Sequence, residues 1–167
     1  MKKLLAIACA ALVGICAAYA EPLAIGTLWE ATTYVEKYGE SGAKVGEGVS
    51  FGAVELGKNV KAVNKGAGVA GTIGAATKGY VQVSNGDAGS LKVTVPAGTS
   101  KITICAKAVK GKAFQVKEGK NVLLKANGTC KKDYEDHVIT KKFDADTELL
   151  ISGAADTNCN IKAIKIE

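Results

Sequence analysis

Residues 90–108, SLKVTVPAGTSKITICAKA, decide the fold class of this chain. Apolar side chains alternate with lysine and threonine over 91–95, and a second alternating run follows over 101–108. Between them, the Pro-Ala-Gly of residues 96–98 predicts a turn, because proline fixes φ and glycine accepts a positive φ. A period of two gives each strand one dry and one wet face, which is typical of antiparallel sheet. The stretch therefore predicts a β-hairpin, with Cys105 on the wet face or on a strand covered on both sides.

The rest of the chain continues this pattern on both sides of the hairpin. Upstream, alternation around Val49 and Phe51 predicts a strand, and the Gly/Ala-rich residues 65–79 predict a loop with a thin strand. Downstream, glycines separate strands that are predicted at 113–116, 122–126, 138–143, 149–152 and 160–166. Strands of this length and spacing, with no βαβ alternation, predict an all-β antiparallel sandwich or barrel.

The first twenty residues predict a secretory signal peptide. Lys2 and Lys3 precede an apolar run over 4–16 that is too short to span a bilayer, and Ala-Tyr-Ala at 18–20 matches a cleavage site. Residues 21–167 then form a single β-sandwich domain. We expect a secreted or periplasmic protein with no transmembrane segment. Attachment to the cell surface stays open as an alternative.

Cys16 raises the alternative of a lipid anchor, since lipoproteins are cleaved just before an acylated cysteine. Ile15 stands where that cleavage requires a small residue, which argues against acylation.

Residues 27–39 predict a short helix near the N-terminus. Thr27 and Glu30 fit a capping box, and a single apolar face follows. Because β-branched residues interrupt this segment, an extended stretch with Trp29 packed inward stays open as the alternative. The fold prediction accordingly allows at most one or two short helices.

The basic charge of the chain comes from lysine alone. All 22 basic residues are lysines, against 16 acidic residues. Arginine is the residue best suited to phosphate recognition, and no alternation of aromatic and basic residues marks a stacking groove. The composition therefore argues against a nucleic-acid partner.

Three cysteines follow the signal peptide, and export makes a disulfide plausible. Cys130 and Cys159 are the preferred pair because both are predicted in polar turns, where the backbone can adjust to disulfide geometry. A pair that uses Cys105, or no disulfide, are the alternatives. Mapping of peptides under non-reducing conditions distinguishes the three.

The second half of the chain resembles a known bacterial module. GSLKVTVPAGTSKITICAKA, FQVKEGKNVLLKANG and KKFDADTELLISGAADTNCNIKAIKIE are similar to the galactose-binding-like jelly rolls of secreted polysaccharide-degrading enzymes such as pectate lyases. The resemblance covers residues 80–167 and rests on turns and alternation rather than on a chemical motif. It implies a jelly-roll fold and, by analogy, carbohydrate binding. The module usually accompanies a catalytic domain, and this sequence predicts none.

Two sets of residues are candidates for a site. Flat aromatic rings cover the apolar side of a sugar and carboxylates bind its hydroxyls, so the ligand-binding candidates are Trp29, Tyr34, Tyr134 and Asp136, with Tyr38 and Tyr80 as further aromatics. Structural calcium is the one cofactor considered, and its candidate ligands are the alternating acids Asp144, Asp146 and Glu148. Core packing is the alternative for Trp29, and a polar turn is the alternative for the three acids.

No catalytic set is recognisable in the sequence. The only histidine, His137, lies beside acids but lacks an accompanying nucleophile. We therefore predict a non-catalytic glycan-binding protein. The first alternative is a structural or adhesive cell-envelope protein that binds another envelope protein, and the second is a subunit of a glycan-active enzyme.

Overall fold

The computed structural model describes residues 22–32, 35, 49–51, 54–108, 114–125, 133–154 and 157–167. Those residues contain one 3₁₀ helix, Asp87–Gly89, and twelve strands. The strands are β1 Leu28–Glu30, β2 Val49–Phe51, β3 Val54–Leu56, β4 Lys61–Val63, β5 Tyr80–Val83, β6 Leu91–Val95, β7 Lys101–Ala108, β8 Phe114–Glu118, β9 Asn121–Lys125, β10 Glu135–Thr140, β11 Thr147–Gly153 and β12 Cys159–Ile166.

The strands form two antiparallel sheets. Sheet I has the order β10-β7-β12-β5-β4, with β1 also paired to β12, and sheet II has the order β2-β3-β6-β11-β8-β9. From β5 to β8 the chain changes sheet at every step, and β10, β11 and β12 again alternate between the sheets. This crossing back and forth is typical of a jelly roll, so the predicted all-β antiparallel sandwich is confirmed.

The predicted hairpin over 90–108 is wrong in one respect. Both strands and the turn exist, and Gly98 has the expected positive φ of 90°. However, β6 pairs with β3 and β11, whereas β7 pairs with β10 and β12. The connection therefore arches over the core from sheet II to sheet I. Alternation assigns side chains to faces, and it is the same for a hairpin and for an arch.

The helix predicted at 27–39 is wrong at its start. Residues 28–30 form β1 against β12, and Trp29 faces the core with 7% of its surface exposed. The extended alternative is thus confirmed for these three residues. The backbone becomes helical at Thr32, and the amide of Val35 donates to the carbonyl of Ala31. Tyr34 and Tyr38 lie outside the described residues.

The core lies between the inner faces of the two sheets. Valine, leucine and isoleucine supply most of it, with Phe114, Phe143 and Trp29 as the described aromatic members. Predicted dry positions such as Leu91, Ile102 and Ile104 are almost fully buried. Among the described residues, no helix is long and apolar enough to cross a membrane.

The cysteines divide between the two faces of sheet I. Cys105 has a free, buried thiol on the outer face of β7, so its strand is covered on both sides. Cys159 begins β12, opposite Val83 and Ala108, rather than lying in a turn. Cys130 lies outside the described residues, and the Cys130–Cys159 disulfide stays a prediction.

His137 is half-buried on the edge strand β10, where it packs against Phe114 of the other sheet. Its ring meets the edge of Phe114 at 4.7 Å between centroids, with an angle of 81° between the planes. Burial lowers the pKa of His137 from its ordinary value of 6.5, although the nearby Glu135 opposes this shift. The folded protein therefore favours the neutral imidazole.

This environment predicts a stability that depends on pH. Because the folded pKa is below the unfolded one, the unfolded state binds more protons at mildly acidic pH, and the free energy of unfolding falls as the pH drops below about 6.5. Urea unfolding at several pH values between 8 and 5 measures this dependence. His137→Gln should lose the histidine contribution, so its stability relative to wild type should improve as the pH falls. A parallel pH dependence of the two proteins would contradict the prediction.

Candidate functional site

The outer face of sheet I is partly covered by residues 64–79, which we call the covering loop. It connects β4 to β5 and folds back over β7 and β12 through a series of tight turns. The prediction of a loop is confirmed, but the predicted thin strand is wrong because no strand is assigned at 65–79. Small residues are needed here: a Cβ at Gly74 would lie 2.9 Å from the sulfur of Cys105 and 3.2 Å from Cβ of Lys162.

Lys162 holds the end of the covering loop. This side chain is 1% exposed, and its ammonium donates to the backbone carbonyls of Thr77 at 2.9 Å and Gly79 at 2.8 Å. Burial lowers its pKa because the charged form loses hydration. Sequence reasoning missed this residue, since no local pattern marks a lysine that a loop from elsewhere in the chain will cover.

Further hydrogen bonds fasten the loop along its length. Both carboxylate oxygens of Asp136 accept from the amide of Ile73, at 3.0 and 3.2 Å. The hydroxyl of Thr77 donates to Glu30 at 2.5 Å, and the thiol of Cys105 donates to the hydroxyl of Thr72 at 3.4 Å. The sequence-predicted candidate Asp136 is therefore already engaged by the loop.

Beside the loop, a row of polar side chains crosses the outer face of sheet I. Strand register places Lys61 opposite Gln82, Gln82 opposite Asn160, and Asn160 opposite Lys107. We call these four residues the polar row. The amide of Gln82 donates to Asn160 at 3.0 Å, and Asn160 is 4% exposed. Asn160 thus orients Gln82, whose carbonyl oxygen and second amide hydrogen are left for a ligand.

Two tyrosines border the polar row. Tyr80 precedes Gln82 by two residues on β5, so both share the outer face, and Tyr80 is partly exposed. Tyr134 lies just before β10, where the ammonium groups of Lys107 and Lys162 approach its ring centroid at 4.7 and 5.1 Å. Burial is the main cause that raises the pKa of Tyr134, so its phenol stays neutral.

A polar cleft continues from the Lys61 end of the row. Its volume is about 290 Å³, and it is lined by Asn59, Lys61, Gln82, Ser84 and Asn158. A second cleft, of about 300 Å³, lies beside the 3₁₀ helix and carries both Glu55 and Asp87 together with Lys58 and Lys92. Of the two, the first contains amides and no acid and continues the polar row, so it is the better candidate site.

The structure separates the other sequence-predicted site residues. Trp29 is part of the core, which leaves no exposed indole face for a sugar. Among the candidates for calcium, Asp144 faces Lys142 at 3.5 Å, Asp146 accepts from the amide of Ala97 at 2.9 Å, and Glu148 faces Lys92 at 4.0 Å. Residues 144–146 form a turn before β11, so the alternation does not bring these acids together. No group of three metal-ligating side chains occurs in the described part of the chain.

Comparison with known proteins yields distant structural likenesses. No protein-family model and no curated protein sequence matches the chain. The chain is similar to the CBM36-1 domain of a multidomain xylanase from the hindgut metagenome of Trinervitermes trinervoides, with 14% identity, 84% of this chain and 95% of that chain covered, and a TM-score of 0.45.

Two further solved structures are similar to the chain. One is a carbohydrate-binding module, CBM36, in complex with calcium and xylotriose, with 17% identity, coverage of 68% of this chain and 98% of that chain, and a TM-score of 0.42. The other is the CBM22-1 xylan-binding domain of Paenibacillus barcinonensis Xyn10C, with 10% identity, coverage of 88% and 97%, and a TM-score of 0.44.

Proposed function

We propose that this protein is an exported, non-catalytic module that binds a glycan on the outer face of sheet I. The observation that carries the proposal is the hydrogen-bonded pair of Gln82 and Asn160 on a face that also carries the partly exposed Tyr80 and Tyr134. Export is part of the proposal and is supported by the signal-peptide pattern at 1–20.

The chemistry of this surface suits a sugar. A pyranose presents C–H groups on one face and hydroxyls around its rim, so it needs a flat apolar platform next to neutral donors and acceptors. The tyrosine rings supply the platform, and Gln82 supplies both a donor and an acceptor. In the cleft, Asn59, Ser84 and Asn158 add polar groups of the same kind.

The same surface is poorly suited to cleavage of a glycosidic bond. That reaction ordinarily requires two carboxyl groups that face each other across the substrate. The polar row consists of lysines and amides, and the nearby Asp136 is bound by the amide of Ile73. These residues therefore favour binding over catalysis.

An adhesive envelope protein that extends its sheets through a partner strand is the alternative. The described outermost strands are short, from three residues in β2 and β4 to six in β10. β10 also begins with Glu135, Asp136 and His137, and charged residues oppose pairing at a sheet edge. The strand edges thus favour the glycan over a strand-exchanging partner.

Glycan binding can be measured with the purified protein. Affinity gel electrophoresis against a panel of soluble polysaccharides, followed by calorimetry, should identify a ligand. Tyr134→Ala should weaken binding about tenfold or more because the platform is lost, whereas Tyr134→Phe should retain most of it. Val122→Ala, on exposed β9 of sheet II, is the control. Failure to bind any glycan, or equal binding by Tyr134→Ala, would overturn the proposal.

A further inference from the structure

We infer that the glycan bound along the polar row is acidic and that its carboxylates are recognised by Lys61 and Lys107. This inference rests on the proposed function and adds the chemical class of the ligand. It follows from the charges of the row, from the composition of the adjoining cleft and from the position of Lys107 over Tyr134.

Unlike five other lysines of the domain, the two lysines of the polar row have no acidic partner; in the described part of the chain Lys58, Lys65, Lys78, Lys117 and Lys120 have none either. Both are partly exposed, and within the described part of the chain no carboxylate lies within ion-pair distance of either. Five other lysines, on other parts of the surface, each face an acid: Lys92, Lys101, Lys141, Lys142 and Lys165. The polar row thus offers positive charge that the protein itself does not neutralise.

The surroundings of the row preserve this charge. The five residues lining the adjoining cleft include Lys61 and no acid, whereas the cleft beside the 3₁₀ helix carries acids and lysines together. On the same outer face, Asp136 accepts hydrogen bonds from Ile73 beneath the covering loop. A neutral sugar needs amides and rings only, so the uncompensated lysines point to an anionic ligand.

The positions of the Lys61 and Lys107 ammonium groups suit the carboxylates of an acidic sugar. The ammonium of Lys107 lies over the ring of Tyr134, 4.7 Å from its centroid, so a sugar bound at the edge of that ring would have its carboxylate near a cation. Lys61 and Lys107 are three strand spacings apart, or about 14 Å, so an oligosaccharide that reached both lysines would present acidic units that are not neighbours in its chain. Lysine binds carboxylate as a point charge, so this recognition should be sensitive to salt.

The test compares polygalacturonate with its fully methyl-esterified form, which has the same backbone without the charge. We expect wild type to bind the acidic polymer about tenfold more tightly, and about 0.3 M salt to remove that preference. The double variant K61M/K107M should lose the preference. K117M/K120M removes the same charge from sheet II and should retain it, since Lys117 and Lys120 lie on the β8–β9 hairpin.

Each contrary outcome has a separate meaning. Equal binding of the acidic and esterified polymers overturns the acidic ligand and leaves the proposed glycan binding intact. Equal loss in K117M/K120M also overturns it, because the preference would then reflect net charge alone. Absence of binding to these polymers and to a neutral polysaccharide panel overturns the proposed function itself.

Discussion

Replacing Lys162 by methionine is expected to lower the free energy of unfolding by about 1–3 kcal/mol, the cost of leaving buried acceptors without a donor. Methionine keeps the length of the side chain but removes both hydrogen bonds to the carbonyls of Thr77 and Gly79. In the variant these two carbonyls are buried without a hydrogen bond, whereas in the unfolded chain water binds to them. The covering loop should then open at its end near β5.

Two measurements separate this effect from a general loss of packing. Urea unfolding gives the free energy, and the rate at which Cys105 reacts with a thiol reagent reports whether the loop still covers β7. Lys165→Met is the matched control, because Lys165 lies on the same strand in a partly exposed ion pair with Glu167. The control should change stability by about 1 kcal/mol or less. Wild-type stability and a protected Cys105 in K162M would show that the loop is held by other contacts.

The burial of Lys162 is also a feature that the sequence does not predict. Lys162 lies where the pairing of β12 with β7 shifts register, between Ile161 and Ala163, so strict alternation along β12 does not assign its face. Alternation cannot reveal that a loop from a distant part of the chain covers the face. The sequence does contain one indication. A loop as long as the Gly/Ala-rich residues 65–79 is uncommon in a compact domain, which indicates that it packs against a sheet.

The pairing of the strands could not be predicted from the sequence, for a related reason. The faces of Leu91, Ile102 and Ile104 follow from periodicity alone, and all three are buried as predicted. Their partners depend on which strands meet in three dimensions. The five residues between β6 and β7 are enough either to close a hairpin or to cross the roughly 10 Å between packed sheets.

The candidate site was predicted only in part. Tyr134 is one of the aromatic candidates that the sequence offers, and it borders the polar row. The central pair, Gln82 and Asn160, is 78 residues apart in sequence and becomes adjacent only through the pairing of β5 with β12. No local pattern links an amide on one strand to an amide on another.

Replacing Phe114 by alanine is expected to destabilise the domain by about 3–5 kcal/mol. Phe114 is fully buried at the start of β8 in sheet II, and its ring contacts His137 on β10 of sheet I. Truncation removes the apolar contacts and leaves a cavity between the two sheets, which close packing around strands on both sides prevents from collapsing. Urea unfolding at neutral pH measures the loss.

The same variant tests the environment assigned to His137. Burial is the main cause that lowers the pKa of His137, and Phe114 provides part of that burial. Loss of the ring that covers one side of the half-buried imidazole should bring its pKa closer to the ordinary value, so Phe114→Ala should lose less stability than wild type between pH 7 and 5. Phe114→Leu is the control, because it fills most of the space and should lose only about 1–1.5 kcal/mol. An unchanged pH dependence in Phe114→Ala would mean that other residues around the imidazole, rather than the phenyl ring, keep His137 neutral.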